Sequence, residues 1–361
     1  MQKSSAPSSP PDQAVQLSLG RNHFNFEDGR DLRIDPRVRQ WHHGGSHGCR
    51  CRWKRPCCCR SQCWRNWHLG QSTDVTVKLI TATKKLTTKP FGAGILLEFD
   101  NTKSIQEIFD EKLACLQVLW GDFPKEMVDE AHKAGVKVGS IKDAEKAIAA
   151  GVDCITAQGV EAGGHIIGTV GLIALLPRVV DLVGDRDVTV VAAGSIADAR
   201  GYIASLALGA KGICMGTRFV ATKEAYAHDF YKHQLLQYAE ADTDRTHLYK
   251  RATWRAYVRC LNTPFHNQWR NAPESVENDD SQPIIGYSII NGEKAVLRRF
   301  NGNTPNPTTA GELENMVYYA GQGVGLITEI LSAADVISTF VEDAKKIIKD
   351  LNDKYVVATT Y

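Results

Sequence analysis

The sequence lacks several features that would assign it to large classes of protein. Lys and Arg (43) nearly balance Asp and Glu (41), so the formal net charge is only +2 and gives no general argument for nucleic-acid binding. No apolar run approaches the roughly 20 residues that cross a bilayer, and the N-terminal stretch MQKSSAPSSPPDQ has no apolar segment typical of a secretory signal. We therefore expect a soluble, cytoplasmic protein that binds neither nucleic acid nor membranes.

Aliphatic residues are scarce between residues 31 and 70, where Arg, Cys, His, Trp and Gly dominate and no strand or helix period is visible. Six of the ten cysteines lie between Cys49 and Cys63. Their CRC and CCC spacings are tighter than the CxxC pairs that bring two thiolates to one zinc ion, so we expect no metal site. We predict that residues 1–70 form a disordered or aberrant N-terminal segment. The alternatives are a zinc site and, more weakly, a basic arm for nucleic acid.

A chain of 361 residues with 43% hydrophobic content can bury one large core, and we assign it to residues 71–361. Short apolar runs alternate with helical patterns from Pro90 to Phe219, which predicts a parallel TIM (β/α)8 barrel. Within it we expect a helix ending on Gly135, a short strand VKV and a helix closed by Gly151. Beyond Ala221 the sequence predicts helical segments, an irregular stretch to Pro307, and a C-terminal helical extension.

Glycines follow three of the predicted strands, in TAQGVEAGGH, VVAAGSIADARG and LGAKGICMGTRF. Backbone amides at such strand exits can hold a phosphate at the C-terminal mouth of a barrel. In the first exit, Gln158 can hydrogen-bond a heteroaromatic ring, Gly163 and Gly164 permit close approach, and His165 titrates near neutral pH. This combination suits the edge of a flavin with a base beside it. The alternative is a tight turn with a surface histidine.

The second exit places the N–H groups of Gly194 and Ser195, and the Ser195 hydroxyl, where they can converge on a phosphate. The alternative is that Ser195 or Asp198 is the N-cap of the following helix. In the third exit, Gly216 and Thr217 can complete the phosphate site. Cys214 is better interpreted as a strand residue than as a nucleophile, because no histidine or carboxylate is adjacent in sequence.

Four motifs together resemble the nitronate monooxygenase family, formerly called 2-nitropropane dioxygenases, which are FMN-dependent barrels. The motifs are AQGVEAGGH (157–165), AAGSIADARG (192–201), LGAKGICMGTRF (208–219) and AGQGVGLI (320–327), and the resemblance extends from Lys89 to the C-terminus. It implies that Gln158 and Gly163, with the adjacent Gly164, contact FMN and that His165 is the base. It also implies a phosphate site at Gly194, Ser195, Gly216 and Thr217, with Cys214 and Met215 lining the same strand end.

The implied activity is the oxidation of alkyl nitronates by O2, through FMN, to a carbonyl compound and nitrite. Two alternatives stay open: an FMN-dependent NAD(P)H reductase of enoyl thioesters or quinones, and an inactive remnant without a complete barrel. The oligomeric state is not predicted.

The chain departs from the family pattern in three places. Ser195 stands where the family usually has a second glycine, and AGVKVGSIKDAEKA looks shortened, so we expect a truncated strand there. The family also begins with two strands that have no counterpart before Gln71. Read one nucleotide later, codons for residues 40–45 and 63–68 can encode glycine-rich segments of the family type. We therefore hypothesise that residues 31–70 are a frame-shifted or mis-spliced version of the first two strands, one or both of which are disrupted.

Overall fold

The structure, a computed structural model, describes most of the chain after residue 72. The described ranges are 73–88, 90–97, 100–120, 123–131, 134–138, 140–249, 256–273, 280–290 and 292–355. The predicted disordered or aberrant segment 1–70, the zinc alternative and the frame-shift hypothesis for 31–70 all lie outside the described residues.

Twelve strands and ten α-helices make up the described part of the chain. The strands are β1 Gly92–Leu96, β2 Cys115–Leu119, β3 Ala134–Val138, β4 Cys154–Gln158, β5 Gly164–Ile166, β6 Thr189–Ala193, β7 Gly212–Cys214, β8 Thr243–Thr246, β9 Tyr257–Leu261, β10 Ile284–Ile290, β11 Glu293–Arg298 and β12 Ala310–Gly311. The helices are α1 Thr73–Leu86, α2 Thr102–Asp110, α3 Lys125–Ala131, α4 Ile141–Ala150, α5 Leu172–Val183, α6 Ala199–Ala207, α7 Thr217–Val220, α8 Asp229–Gln234, α9 Pro264–Trp269 and α10 Ala333–Tyr355. Among them, no helix combines the length and apolar character needed to span a membrane.

Six parallel strands form the main sheet in the order β1-β2-β3-β4-β6-β7, with helices in the connections between them. The parallel α/β architecture predicted from the alternation is therefore confirmed. Within the described residues β1 and β7 are hydrogen-bonded to a strand on one side only, so the sheet does not close into a barrel there.

One face of this sheet is apolar and packs against the helices. Ile155 and Ala157 of β4 and Val118 of β2 belong to the largest buried cluster, together with Leu176 and Val179 of α5. Burying one such side chain contributes roughly 1.5–3 kcal/mol. Because side chains alternate along a strand, the opposite face is the one that differs in character. It carries Gln117 of β2 and Thr156 and Gln158 of β4, all of them buried.

The structure corrects two predictions around β3. Helix α3 ends at Ala131, and Gly135 lies inside β3 rather than at a helix end. The expected truncation is also wrong, since β3 has five residues, as do β2 and β4. β3 pairs with β2 on one side and β4 on the other, so its backbone N–H and C=O groups find hydrogen-bond partners. This pairing stabilises a strand that the local sequence predicts only weakly.

A further correction concerns the region after Ala221, which contains strands that the sequence analysis did not predict. The region contains the antiparallel sheet β11-β10-β12, and its strands β8 and β9 form a second antiparallel sheet with β5, which lies before Ala221. The Asn-Gly pair between β10 and β11 is a strong hairpin signal, and Gly292 has the positive φ (86°) that such turns require. Of the C-terminal helical extension, α10 is confirmed, whereas 313–326 contains only two short 3-10 segments.

Replacing Gly151 tests the end of α4. Gly151 has φ 84°, and its N–H donates to the carbonyls of Ala147 and Ile148. An L-residue in this left-handed conformation is strained by about 1–2 kcal/mol, partly offset by lower chain entropy in the unfolded state. We expect Gly151→Ala to lower the free energy of unfolding by about 1 kcal/mol, measured by urea denaturation, and Gly151→Asn to lower it less. An alanine variant as stable as the parent would contradict this.

Candidate functional site

The first strand exit is fixed by the side chain of Gln158, the last residue of β4. Gln158 is only 1% exposed. Its Nε2 donates to the His165 carbonyl at 3.0 Å, and its Oε1 accepts from the Ile167 N–H at 3.2 Å. The amide therefore joins the end of β4 to β5, so residues 159–163 form a closed loop that contains Gly163.

Two charged residues that sequence reasoning gave no role hold the same loop. The Glu161 carboxylate accepts the Leu172 N–H at 2.9 and 3.0 Å, at the start of α5. The Arg259 guanidinium donates to the Val160 carbonyl at 3.1 and 3.2 Å. Burial lowers the pKa of Arg259, although the Asp244 and Glu161 carboxylates favour its charged form. Glu161 stands inside the EAGG motif, so the sequence draws attention to it. No residue near Arg259 in the sequence indicates that its guanidinium contacts the Val160 carbonyl.

His165 lies in β5 opposite Val258 of β9. Its ring is half-buried, and its centroid is 5.7 Å from that of the Tyr319 ring at an angle of 57°. The imidazole therefore lies between the first strand exit and the segment that precedes residues 320–327. The backbone of His165 is paired with β9. The alternative from the sequence, a tight turn with a surface histidine, does not describe this arrangement.

The second exit turns sharply at two consecutive residues with positive φ, Gly194 (122°) and Ser195 (52°). The Ser195 hydroxyl donates to the Glu161 carbonyl at 2.8 Å and accepts from the Gly323 N–H at 3.0 Å. The N-cap alternative is confirmed for Asp198, whose carboxylate accepts the N–H groups of Arg200 and Gly201 at the start of α6. For an anion, this exit thus offers backbone N–H groups rather than the Ser195 hydroxyl.

The third exit runs from Cys214, the half-buried last residue of β7, through Met215 to Gly216 and Thr217. Met215 packs against the main core. The Thr217 hydroxyl accepts the Gly321 N–H at 3.0 Å. A Cβ placed on Gly216 would meet nothing within 4 Å, and the same holds for Gly164. Both glycines therefore border open space.

Residues 320–323, here called the exit clasp, tie the three exits together. Its successive N–H groups donate to Thr217 Oγ1, to the Glu161 carbonyl at 2.9 Å and to Ser195 Oγ. A Cβ on Gly163 would lie 2.4 Å from the Gly321 nitrogen, and one on Gly323 would lie 2.7 Å from the Ser195 oxygen. These glycines are therefore required for contact between backbones. The sequence identifies AGQGVGLI as a motif but does not reveal this role.

The strand exits offer backbone N–H groups beside open space, an arrangement that suits an anion such as a phosphate better than a metal ion. Open space borders Gly164 and Gly216, beside the turn at Gly194 and Ser195. The nearby carboxylates are engaged elsewhere, Glu161 at α5 and Asp198 at α6, so they do not oppose an anion directly. Among the residues described from 73 to 355, no cluster of three or more His, Cys, Asp or Glu could hold a metal.

Comparison with known proteins identifies one family. The family model for nitronate monooxygenase matches residues 100–343, more than half of the chain. The chain is 30% identical to a nitronate monooxygenase of Neurospora crassa over 77% of the chain and 80% of that protein.

Other similar proteins carry different names. The chain is 32% identical to a (3aS,4S,5R,7aS)-5-hydroxy-7a-methyl-1-oxo-octahydro-1H-indene-4-carboxyl-CoA dehydrogenase of Rhodococcus jostii, over 75% of the chain and 82% of that protein. Among solved structures, FabK from Thermotoga maritima superposes with a TM-score of 0.63 at 26% identity, covering 79% of the chain and 85% of FabK. Similarity therefore extends beyond proteins named for nitronate oxidation.

Substitutions at Ser195 test the second exit. Ser195→Ala loses both hydroxyl hydrogen bonds, each worth about 1 kcal/mol, and keeps a strained left-handed residue. Ser195→Gly loses the same bonds but relieves the strain. We expect the alanine variant to be less stable than the glycine variant by about 1 kcal/mol in urea unfolding. Ser338→Ala, in α10, is the control and should change stability little. The reverse order of Ser195→Ala and Ser195→Gly would argue against the strain.

Proposed function

The chain belongs to the nitronate monooxygenase family, a family of FMN-dependent oxidoreductases, and on that premise we propose that it oxidises small alkyl nitronates with O2. The products would be a carbonyl compound and nitrite. The observation that supports this most is that the four family motifs meet at one place, where the exit clasp bonds to all three glycine-bearing exits.

We propose that FMN binds at these exits. The N–H groups of Gly194 and Ser195, with Gly216 and Thr217, would hold its phosphate, since backbone amides at strand exits suit an anion. Gly163 and Gly164 would let the ring approach the loop that Gln158 fixes, and Cys214 and Met215 would line the same end. The chemistry that bound FMN supplies is acceptance of an electron from the nitronate, before O2 completes the oxidation.

A complete (β/α)8 barrel would need two strands beyond those of the main sheet. The main sheet has six parallel strands with unpaired outer edges at β1 and β7 in the described residues, and a (β/α)8 barrel has eight strands. Two further strands between those edges would close it and remove both edges. A chain in which those strands are absent would correspond to the inactive remnant.

His165 is proposed as the catalytic base. It would take the α-proton of a neutral nitroalkane or hydrogen-bond the oxygens of a nitronate. The backbone of His165 is fixed by the pairing of β5 with β9 and by the hydrogen bond from the Gln158 amide to the His165 carbonyl. A positioned base of this kind contributes about 10²–10⁴-fold to a rate.

A second candidate function is supported by the name of one relative. At 32% identity one relative is named a CoA dehydrogenase. The second candidate is therefore the FMN-dependent reduction of an enoyl thioester or a quinone by NAD(P)H at the same site. Anaerobic bleaching of the flavin by NAD(P)H, without any nitronate, would favour this candidate over nitronate oxidation.

The visible spectrum of the purified protein, together with an oxygen-consumption assay, tests the main proposal. We expect flavin absorbance from bound FMN, and O2 uptake with nitrite release when propyl nitronate is added. A yellow protein that shows no O2 uptake or nitrite release with nitronate would shift the assignment to the second candidate. A colourless protein that does not take up added FMN would indicate the remnant.

The variant His165→Asn tests the base. We expect it to retain bound FMN and to lose about 10²–10⁴-fold of the turnover on neutral nitroalkane, because asparagine cannot accept the proton. Turnover of the preformed nitronate should fall much less. His233→Asn in α8 is the matched control and should behave like the parent. Equal loss on both substrates would remove the proton-transfer role from His165.

A further inference from the structure

Gln117 is a buried polar side chain on the inner face of the main sheet that the proposed function does not use. It lies in the middle of β2 and is 5% exposed. Its register partners on both sides are glycines, Gly94 in β1 and Gly135 in β3. Because neither neighbour has a side chain, the amide can reach across β3, and its Nε2 donates to Thr156 Oγ1 at 3.0 Å.

The carbonyl oxygen of the same amide is a buried acceptor. Gln117 Oε1 is inaccessible to solvent and has no hydrogen-bond partner among the residues that the structure describes. Leaving such a group unsatisfied costs about 1–3 kcal/mol, so a protein that keeps it there gains by supplying a donor. The donor must approach from the inner face, to which the side chain projects.

The Gln117 amide lies toward the N-terminal ends of the strands from the candidate site. Thr156, which holds it, precedes Gln158 by two residues in β4, and Gln158 marks the first exit. Two residues of a strand span about 7 Å. The Gln117 backbone is level with Cys154, but its amide reaches up to Thr156, so the far edge of a ring that entered between the exits would reach the level of that amide.

We propose that Gln117 Oε1 accepts a hydrogen bond from the N3–H group of the FMN isoalloxazine, with Thr156 fixing the amide. This inference rests on the proposed function. Nitronates and O2 carry no N–H or O–H group that could donate. Oxidised FMN has a single ring N–H, at N3. The ribityl hydroxyls adjoin the phosphate, which the same proposal places at the exits above. Gln117 thereby becomes a cofactor-binding residue that sets the depth and orientation of the ring.

A protein–ligand cycle tests this contact. The dissociation constants of FMN and N3-methyl-FMN are measured by flavin fluorescence for the parent protein and for Gln117→Ala. One such hydrogen bond corresponds to about 2–13-fold in affinity. We expect the parent to prefer FMN by at least that factor, and Gln117→Ala, which also leaves room for the methyl group, to bind both flavins equally. Gln106→Ala, an exposed glutamine in α2, is the control and should keep the preference of the parent.

Every outcome of the cycle decides the matter. A preference that survives in Gln117→Ala overturns the contact, as does a parent that binds both flavins equally. A lower melting temperature of the flavin-free variant with unchanged discrimination places the donor within the chain and also overturns it. If the parent binds neither flavin, the cofactor assignment fails and this inference fails with it. Should Gln117→Ala not fold, Gln117→Met, of similar length but without the amide, takes its place.

Discussion

The geometry of the site depends on hydrogen bonds between the exit clasp and the ends of three strands. Consecutive N–H groups of residues 321–323 bond to acceptors on Thr217, Glu161 and Ser195, more than 100 residues earlier in the chain. Glycine at 321 and 323 lets the two backbones touch, where any Cβ would clash. The ends of β4, β6 and β7 are thus held at set distances, so a ligand bound at one exit is positioned relative to the others.

Ser195 shows how this chain accommodates a departure from the family pattern. A residue with φ 52° favours glycine, and serine there is strained. Its hydroxyl, however, makes two hydrogen bonds that glycine cannot make, to the first exit and to the clasp. The side chain therefore stabilises the junction of the exits, while the N–H groups of the turn remain the feature that suits an anion.

The two faces of the main sheet differ in chemistry. Sheets of parallel strands are ordinarily apolar on both faces. Here the face toward the helices is apolar, whereas the inner face carries Gln117, Thr156 and Gln158. The two amides among these side chains differ in how many of their polar atoms are hydrogen-bonded. Gln158 has both of its polar atoms bonded to main chain, and Gln117 uses only one. Burying a polar group costs free energy unless it is hydrogen-bonded, so of the two amides only that of Gln117 retains an uncompensated cost among the described residues.

The sequence by itself determined the strand–helix alternation, the αL end of α4 at Gly151, the N-cap at Asp198 and the three glycine-bearing exits, because each depends on residues close together in the chain. The strands β8 to β12 after Ala221 were not predicted, although the Asn-Gly pair between β10 and β11 is a local hairpin signal. The pairing of β8 and β9 with β5 depends on residues far apart in the chain. Tertiary structure alone decided that Arg259 holds Val160, that Ser195 meets Gly323 and that Gln117 reaches Thr156. Those partners lie 39 to 128 residues apart, and no local pattern encodes a contact that forms only when the sheet and the clasp are assembled.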